Sequence, residues 1–190
     1  LDFWRGVQYL FFRQWHALKR YANRKGIAII GDLPIYVAND SVDVWAGPEQ
    51  FQLDENRRPT EVSGCPPDGF APDGQLWGNH LFDWEGMKKD GYRWWIRRIA
   101  HQFQLYDTLR IDHFRGFDEY YAIPAGDETA RNGRWRPGPG VEFFQTMEKA
   151  LGARDIIAED LGFLTDTVRQ LLRETGYPGM KVLEFAFDSR

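Results

Sequence analysis

The sequence predicts an α/β fold, a partial (β/α)8 TIM barrel with about four of the eight strands and long βα loops. Three observations predict it. Short apolar runs alternate with helical periodicities along the 190 residues, the order expected of βαβ units on a parallel sheet. Three of those runs end in an acid: Asp32, Asp112 and Glu159. The two longest irregular segments each follow such a run, where a barrel carries its active-site loops. A Rossmann-type sheet is the competing architecture, but no Gly-x-Gly-x-x-Gly follows any of the runs, which leaves dinucleotide binding without its fingerprint.

The elements follow in order. Phe3, Val7, Leu10, Phe11, Trp15, Leu18 and Ala22 recur at the spacing of an amphipathic helix, closed by Gly26, whose aromatic stripe is expected to enter the core. Residues 27–37 form an unalternated apolar run, the mark of a strand buried on both faces, and Pro34 stops it. Asp32 reads either as a turn acid before proline or as a carboxylate at a strand end. Residues 38–83 are rich in Gly, Pro, Asp and Asn without a sustained period, and read as a long loop or subdomain insertion over the cleft. Trp45, Phe70, Trp77 and Phe82 within it argue against disorder.

A helix is expected over 84–104, then a strand ending at Asp112, then irregular chain over 117–140. Val141–Leu151 reads as a helix closed by Gly152. Residues 155–162 form a third apolar run ending in acid. Thr165–Thr175 is a helix with Thr165 as its N-cap and Gly176 as its end, and 180–187 reads as a fourth strand. The chain opens on Leu1 and stops inside that last run, so both ends are expected to be cut from a longer protein. Residues 1–190 would then be one partial catalytic-barrel domain.

The net charge of −4 is spread along the chain with both signs mixed. No basic tract points to nucleic acid, and no run is long enough to span a bilayer. The single cysteine, Cys65, rules out an intrachain disulfide and suits a reducing, cytoplasmic compartment. With no His partner placed beside it, Cys65 is read as an inert thiol. Aromatic residues make up 16% of the chain, which fits either a bulky core or stacking surfaces for sugar rings.

In Tyr106–Phe117, Arg110 and Asp112 share one strand parity. They form either a buried ion pair that fixes the fold or one wall of an active site. Two carboxylates from neighbouring strands, Asp112 and Glu159, are the apparatus of glycoside cleavage. A nucleophilic Asp112 must be ionised, and Arg110 brings the positive charge that favours this. Glu159 would be the acid, then the base. Asp160, of opposite parity, is expected to make a structural hydrogen bond. Tyr36 and Asn79 are candidate sugar contacts.

These motifs together resemble the 4-α-glucanotransferases, or amylomaltases, of the α-amylase-like superfamily. The resemblance rests on Gly31-Asp-Leu-Pro-Ile-Tyr-Val-Ala38 with Asp43-Val-Trp45, on Pro66-Pro-Asp68 through Trp77-Gly-Asn79, on Arg110-Ile-Asp-His-Phe-Arg-Gly-Phe117, and on Ile157-Ala-Glu-Asp-Leu-Gly162. It implies Asp112 as nucleophile, Glu159 as acid/base, and Asp32 and Arg110 as substrate contacts. It also implies a 64–79 loop arching over the cleft, with Asp68 and Trp77 near bound glucan. The implied reaction moves α-1,4-glucan segments between malto-oligosaccharides or starch chains, without cofactor or metal. The superfamily's third carboxylate, in a His-Asp pair, has no counterpart here, because none of the four His residues precedes an Asp. The fragment is therefore expected to be inactive alone and to self-associate through exposed barrel edges. An α-glucan hydrolase and a non-catalytic glucan-binding barrel are the alternatives.

Overall fold

The computed structural model describes residues 1–162 and 164–187. Its centre is a parallel sheet of β1 (Ile30–Leu33), β4 (Thr108–Ile111) and β7 (Ile156–Ala158), in the order β1-β4-β7. Asp32 pairs with Arg110, and Arg110 with Ile157, so these residues share one face. The opposite face carries Leu33, Leu109, Ile111, Ile156 and Ala158, all buried. The helices α4 (Arg93–Leu105), α5 (Gly140–Leu151) and α6 (Asp166–Thr175) accompany that buried face. This is a partial barrel, packed outside by helices, with its inner face open. β1 is accordingly not buried on both sides: Ile30 and Asp32 are exposed while Gly31 and Leu33 are buried.

The core beneath the sheet is aromatic. Trp95 is fully buried, with the rings of Phe82, Trp94, Phe117 and Phe143 centred 5.3–5.7 Å away. Part of the aromatic content is thus core, while Trp45, Phe70 and Trp77, like Phe3, Trp4 and Phe11 near the start of the chain, remain exposed. The expected helix over 84–104 is two helices, α3 (Trp84–Lys89) and α4. Gly91 and Tyr92 between them both take positive φ, 74° and 55°, which breaks the helical path.

The two irregular segments fold together. β2 (Glu61–Cys65), β3 (Gln75–His80), β5 (Glu119–Pro124) and β6 (Arg134–Pro137) make a separate antiparallel sheet, ordered β3-β2-β5-β6. Residues 38–83 also hold a short helix, α2 (Val42–Ala46). Strand β2 lacks a plain apolar alternation because three of its four buried positions, Glu61, Ser63 and Gly64, are polar or small, whereas β5 is a continuous buried run from Tyr120 to Ile123. Glu61 and Ser63 are both buried, and Arg134 and Arg136 clamp the Glu61 carboxylate at 2.8 and 3.0 Å. Gly64 has no room for a side chain, since a Cβ there would lie 2.2 Å from the Gln75 carbonyl oxygen.

Two further expectations are corrected. Helix α1 (Asp2–Arg24) forms, but none of its residues is buried. It leans on the end of α4, where Trp15 Nε1 donates to the Leu105 carbonyl at 2.9 Å and Lys19 Nζ to that of Tyr106 at 2.7 Å. Its stripe meets the end of α4 at Trp15, whose ring stands 5.8 Å from that of Tyr106, while Phe3, Val7, Leu10, Phe11 and Leu18 stay exposed, because periodicity reports an apolar face and not what covers it. Residues 180–187 do not form a strand: 183–187 is a 3-10 helix, with Leu183 and Phe187 exposed. A strand needs a ladder, and only Gly179 finds one, a single bridge to Ala158.

Replacing Trp95 by Ala empties the centre of the aromatic core and should cost about 3–5 kcal/mol. Phe70→Ala, at a fully exposed position, should stay within about 0.5 kcal/mol. Urea unfolding of the two variants measures the difference.

Candidate active site

The strand register assembles the site. Asp112 and Glu159 each stand one residue past paired Ile111 and Ala158. The ladder continues to both: Asp112 N donates to the Leu33 carbonyl at 3.0 Å and Glu159 N to that of Ile111 at 3.0 Å. The two carboxylates therefore rise from adjacent strands at the carboxyl edge, beside Asp32.

Arg110 joins the group. Its Nη1 donates to Asp32 Oδ1 and its Nη2 to Asp112 Oδ1, the latter at 2.7 Å. Its Nε lies 3.1 Å from Met180 Sδ. Partial burial works against the guanidinium charge, but the hydrogen bonds and charges of Asp32 and Asp112 outweigh it and raise the Arg110 pKa. The pair is not sealed in a core: the side chain of Asp32 is 57% exposed and that of Asp112 41%.

Glu159 is held by main-chain donors. His113 N reaches its Oε2 at 2.9 Å and Leu161 N its Oε1 at 2.8 Å. Asp160, on the opposite parity, is buried and accepts from Met180 N at 2.7 Å, the structural hydrogen bond expected of it.

The hairpin β2–β3 brings further candidates alongside. Trp77 packs edge-to-face on the His113 ring, centroids 4.8 Å apart, and lies 6.3 Å from the Tyr36 ring. Tyr36 stacks on Phe82, and burial raises its pKa. Asn79 is committed to structure, its Nδ2 donating to the Val37 carbonyl at 2.9 Å and its N–H to Ser63 Oγ at 3.1 Å. Asp68 is exposed in the turn after β2, where its Oδ1 accepts from Phe70 N and Ala71 N. The site thus gathers Asp32, Arg110, Asp112 and Glu159 at the strand ends and Trp77 and Tyr36 beside them, while Asp68 caps its own turn.

Two residues were not singled out for the site by sequence. His113 follows Asp112 with a left-handed backbone, φ 54°. Burial foremost, and the charge of Arg115, pull its pKa down to about 4 against the opposing pull of Asp112. Burial pushes the thiol of Cys65, read as inert, up to about 11, against the charge of Arg115 and with those of Asp68 and Glu159. A thiol held protonated is a poor nucleophile. Among the described residues no group of three or more His, Cys, Asp or Glu is arranged to hold a metal, and no helix is long and apolar enough to cross a membrane.

The lowered His113 pKa has a stability consequence. Between the ordinary value of 6.5 and about 4, the unfolded chain binds a proton that the folded chain refuses, so stability rises with pH. Acidification through that window should remove about 3 kcal/mol. His113→Asn should flatten the slope, as read by urea unfolding at stepped pH.

A profile of the 4-alpha-glucanotransferase family matches residues 1–190. A 4-alpha-glucanotransferase of Streptococcus pneumoniae serotype 4 is 55% identical over 188 residues, covering 99% of this chain and 37% of its own length. The chloroplastic/amyloplastic 4-alpha-glucanotransferase of Solanum tuberosum is 50% identical over 189 residues, covering 100% of this chain and 33% of its own. The solved amylomaltase from Streptococcus agalactiae in complex with acarbose superposes with a TM-score of 0.93 at 49% identity, over 97% of this chain and 37% of that one. The chain therefore spans little more than a third of the length of these relatives.

Proposed function

Because the chain belongs to the 4-alpha-glucanotransferase family, we propose that it is the nucleophile- and acid-bearing part of an enzyme that transfers α-1,4-glucan segments between malto-oligosaccharides or starch chains. One observation carries the reading: Asp112 and Glu159 stand at the same level on adjacent strands. Neighbouring strands lie about 4.8 Å apart, close to the carboxyl separation of about 5–5.5 Å that a retaining mechanism uses.

In the first step an Asp112 carboxylate oxygen attacks the anomeric carbon of the donor. The bond from that carbon to the glycosidic oxygen breaks, and Glu159 delivers its proton to the departing oxygen. In the second step the Glu159 carboxylate takes the proton from an acceptor hydroxyl. That oxygen attacks the anomeric carbon, and the bond to Asp112 breaks. Arg110 spans Asp32 and Asp112, so it orients the nucleophile while Asp32 stays open to a sugar hydroxyl. Trp77 and Tyr36 present rings beside the strand ends for an apolar sugar face, and the exposed Asp68 is the glucan contact we assign to the turn, while Asn79, expected as a sugar contact, is spent on the Val37 carbonyl.

We read residues 1–190 as one partial catalytic-barrel domain, with 38–83 as the subdomain over the cleft. An aromatic hairpin at the strand ends favours a sugar acceptor over water, and so transfer over hydrolysis. The exposed α1 face and the free edge of β1 favour self-association of the isolated chain.

In the longer parent protein, Asp112→Asn and Glu159→Gln should each lower disproportionation of maltotriose by about a thousandfold or more. Wild-type activity in either variant would sink the assignment. The isolated 190-residue chain, which lacks a His-Asp pair, should show none of this activity by product chromatography.

A further inference from the structure

His113 is one of three non-glycine residues with positive φ among the described residues. A left-handed backbone is uncommon for a residue with a Cβ and persists only where its surroundings hold it. Here the turn carries the His113 N–H to 2.9 Å from Oε2 of Glu159. The next residue, Phe114, donates its N–H to the Glu159 carbonyl at 3.1 Å. One turn thus grips both the side chain and the main chain of residue 159. The ring is wedged from two sides: Trp77 packs on it, and a Cβ on Gly116 would stand 3.0 Å from its Cδ2. Asp112 and His113 share a peptide bond, so the unit that carries one carboxylate carries a donor to the other.

We propose that His113 is a positioning residue whose left-handed backbone lets its own N–H and that of Phe114 face residue 159 together, and so fixes the Glu159 carboxylate relative to Asp112. The proposal rests on the roles given above to Asp112 and Glu159. The wedged ring holds the turn in place, but the aim belongs to the backbone. A residue that tolerates positive φ preserves it, and one that resists releases Glu159.

Gly and Ala at position 113 separate these contributions in the longer parent protein. Neither has the ring, and only Gly takes positive φ freely. Two donors read the first step alone, as leaving group released in a single turnover, because the second step uses Glu159 as base whatever the donor: a malto-oligosaccharide, whose departing oxygen needs a proton, and α-glucosyl fluoride, whose fluoride leaves without one. The expected result is that His113→Gly releases the leaving group of the malto-oligosaccharide about tenfold faster than His113→Ala, with the two equal on the fluoride. His113→Asn should follow the Gly variant, because Asn visits the left-handed region readily. Equal Gly and Ala rates on the malto-oligosaccharide, or the same gap on both donors, would overturn the positioning role. Glu159→Gln is the separate control. If it is equally slow on both donors, the acid role of Glu159 falls and the proposal with it. If it is spared on the fluoride while Gly and Ala are equal, only the positioning role falls. Should His113→Ala fail to fold by circular dichroism, the Asn and Ser variants repeat the comparison.

Discussion

The Arg110 guanidinium, held between Asp32 and Asp112, is the interaction on which the site depends. It works only because the parallel ladder puts Asp32 opposite Arg110. A slip of β1 by one residue would turn Asp32 to the helix-covered face, into the aromatic core. The buried face guards against that slip. Leu33, Leu109, Ile111 and Ala158 are apolar and covered, and exchanging them for charged groups would cost far more than any surface pair returns. Packing on one face of the sheet thus sets the geometry of charge on the other.

The antiparallel sheet adds the rim. Its framework is polar where a sheet interior is usually apolar: the Glu61 carboxylate is shared by two arginines and Ser63 is paired with Asn79. The first ties β2 to β6 and the second ties β2 to β3, and β3 carries Trp77 to the His113 ring. His113 is the hinge point between the two sheets, touching the hairpin through its ring and Glu159 through its main chain.

How much of this could be read from the sequence depended on what each pattern reports. An apolar run that ends in a charge is conspicuous, so Asp32, Arg110, Asp112 and Glu159 stood out before any coordinates. The antiparallel strands did not, because Glu61, Ser63 and Gly64 replace the alternation that would announce them. The Tyr120–Ile123 run and the Asn132-Gly133 turn were the available signal. Helix α1 was legible as a helix, but its exposed stripe was not, since amphipathicity says nothing of the partner. Residues 180–187 alternate like a strand yet find no ladder. The left-handed turn at His113 left no local trace, because it answers to a contact 46 residues away.

Ladder hydrogen bonds hold the two sheets internally but do not join them. What couples them is side-chain contact: Trp77 packs on the His113 ring and Asn79 Nδ2 donates to the Val37 carbonyl. A change at the tip of the hairpin reaches the strand ends through such contacts and not through a shared ladder.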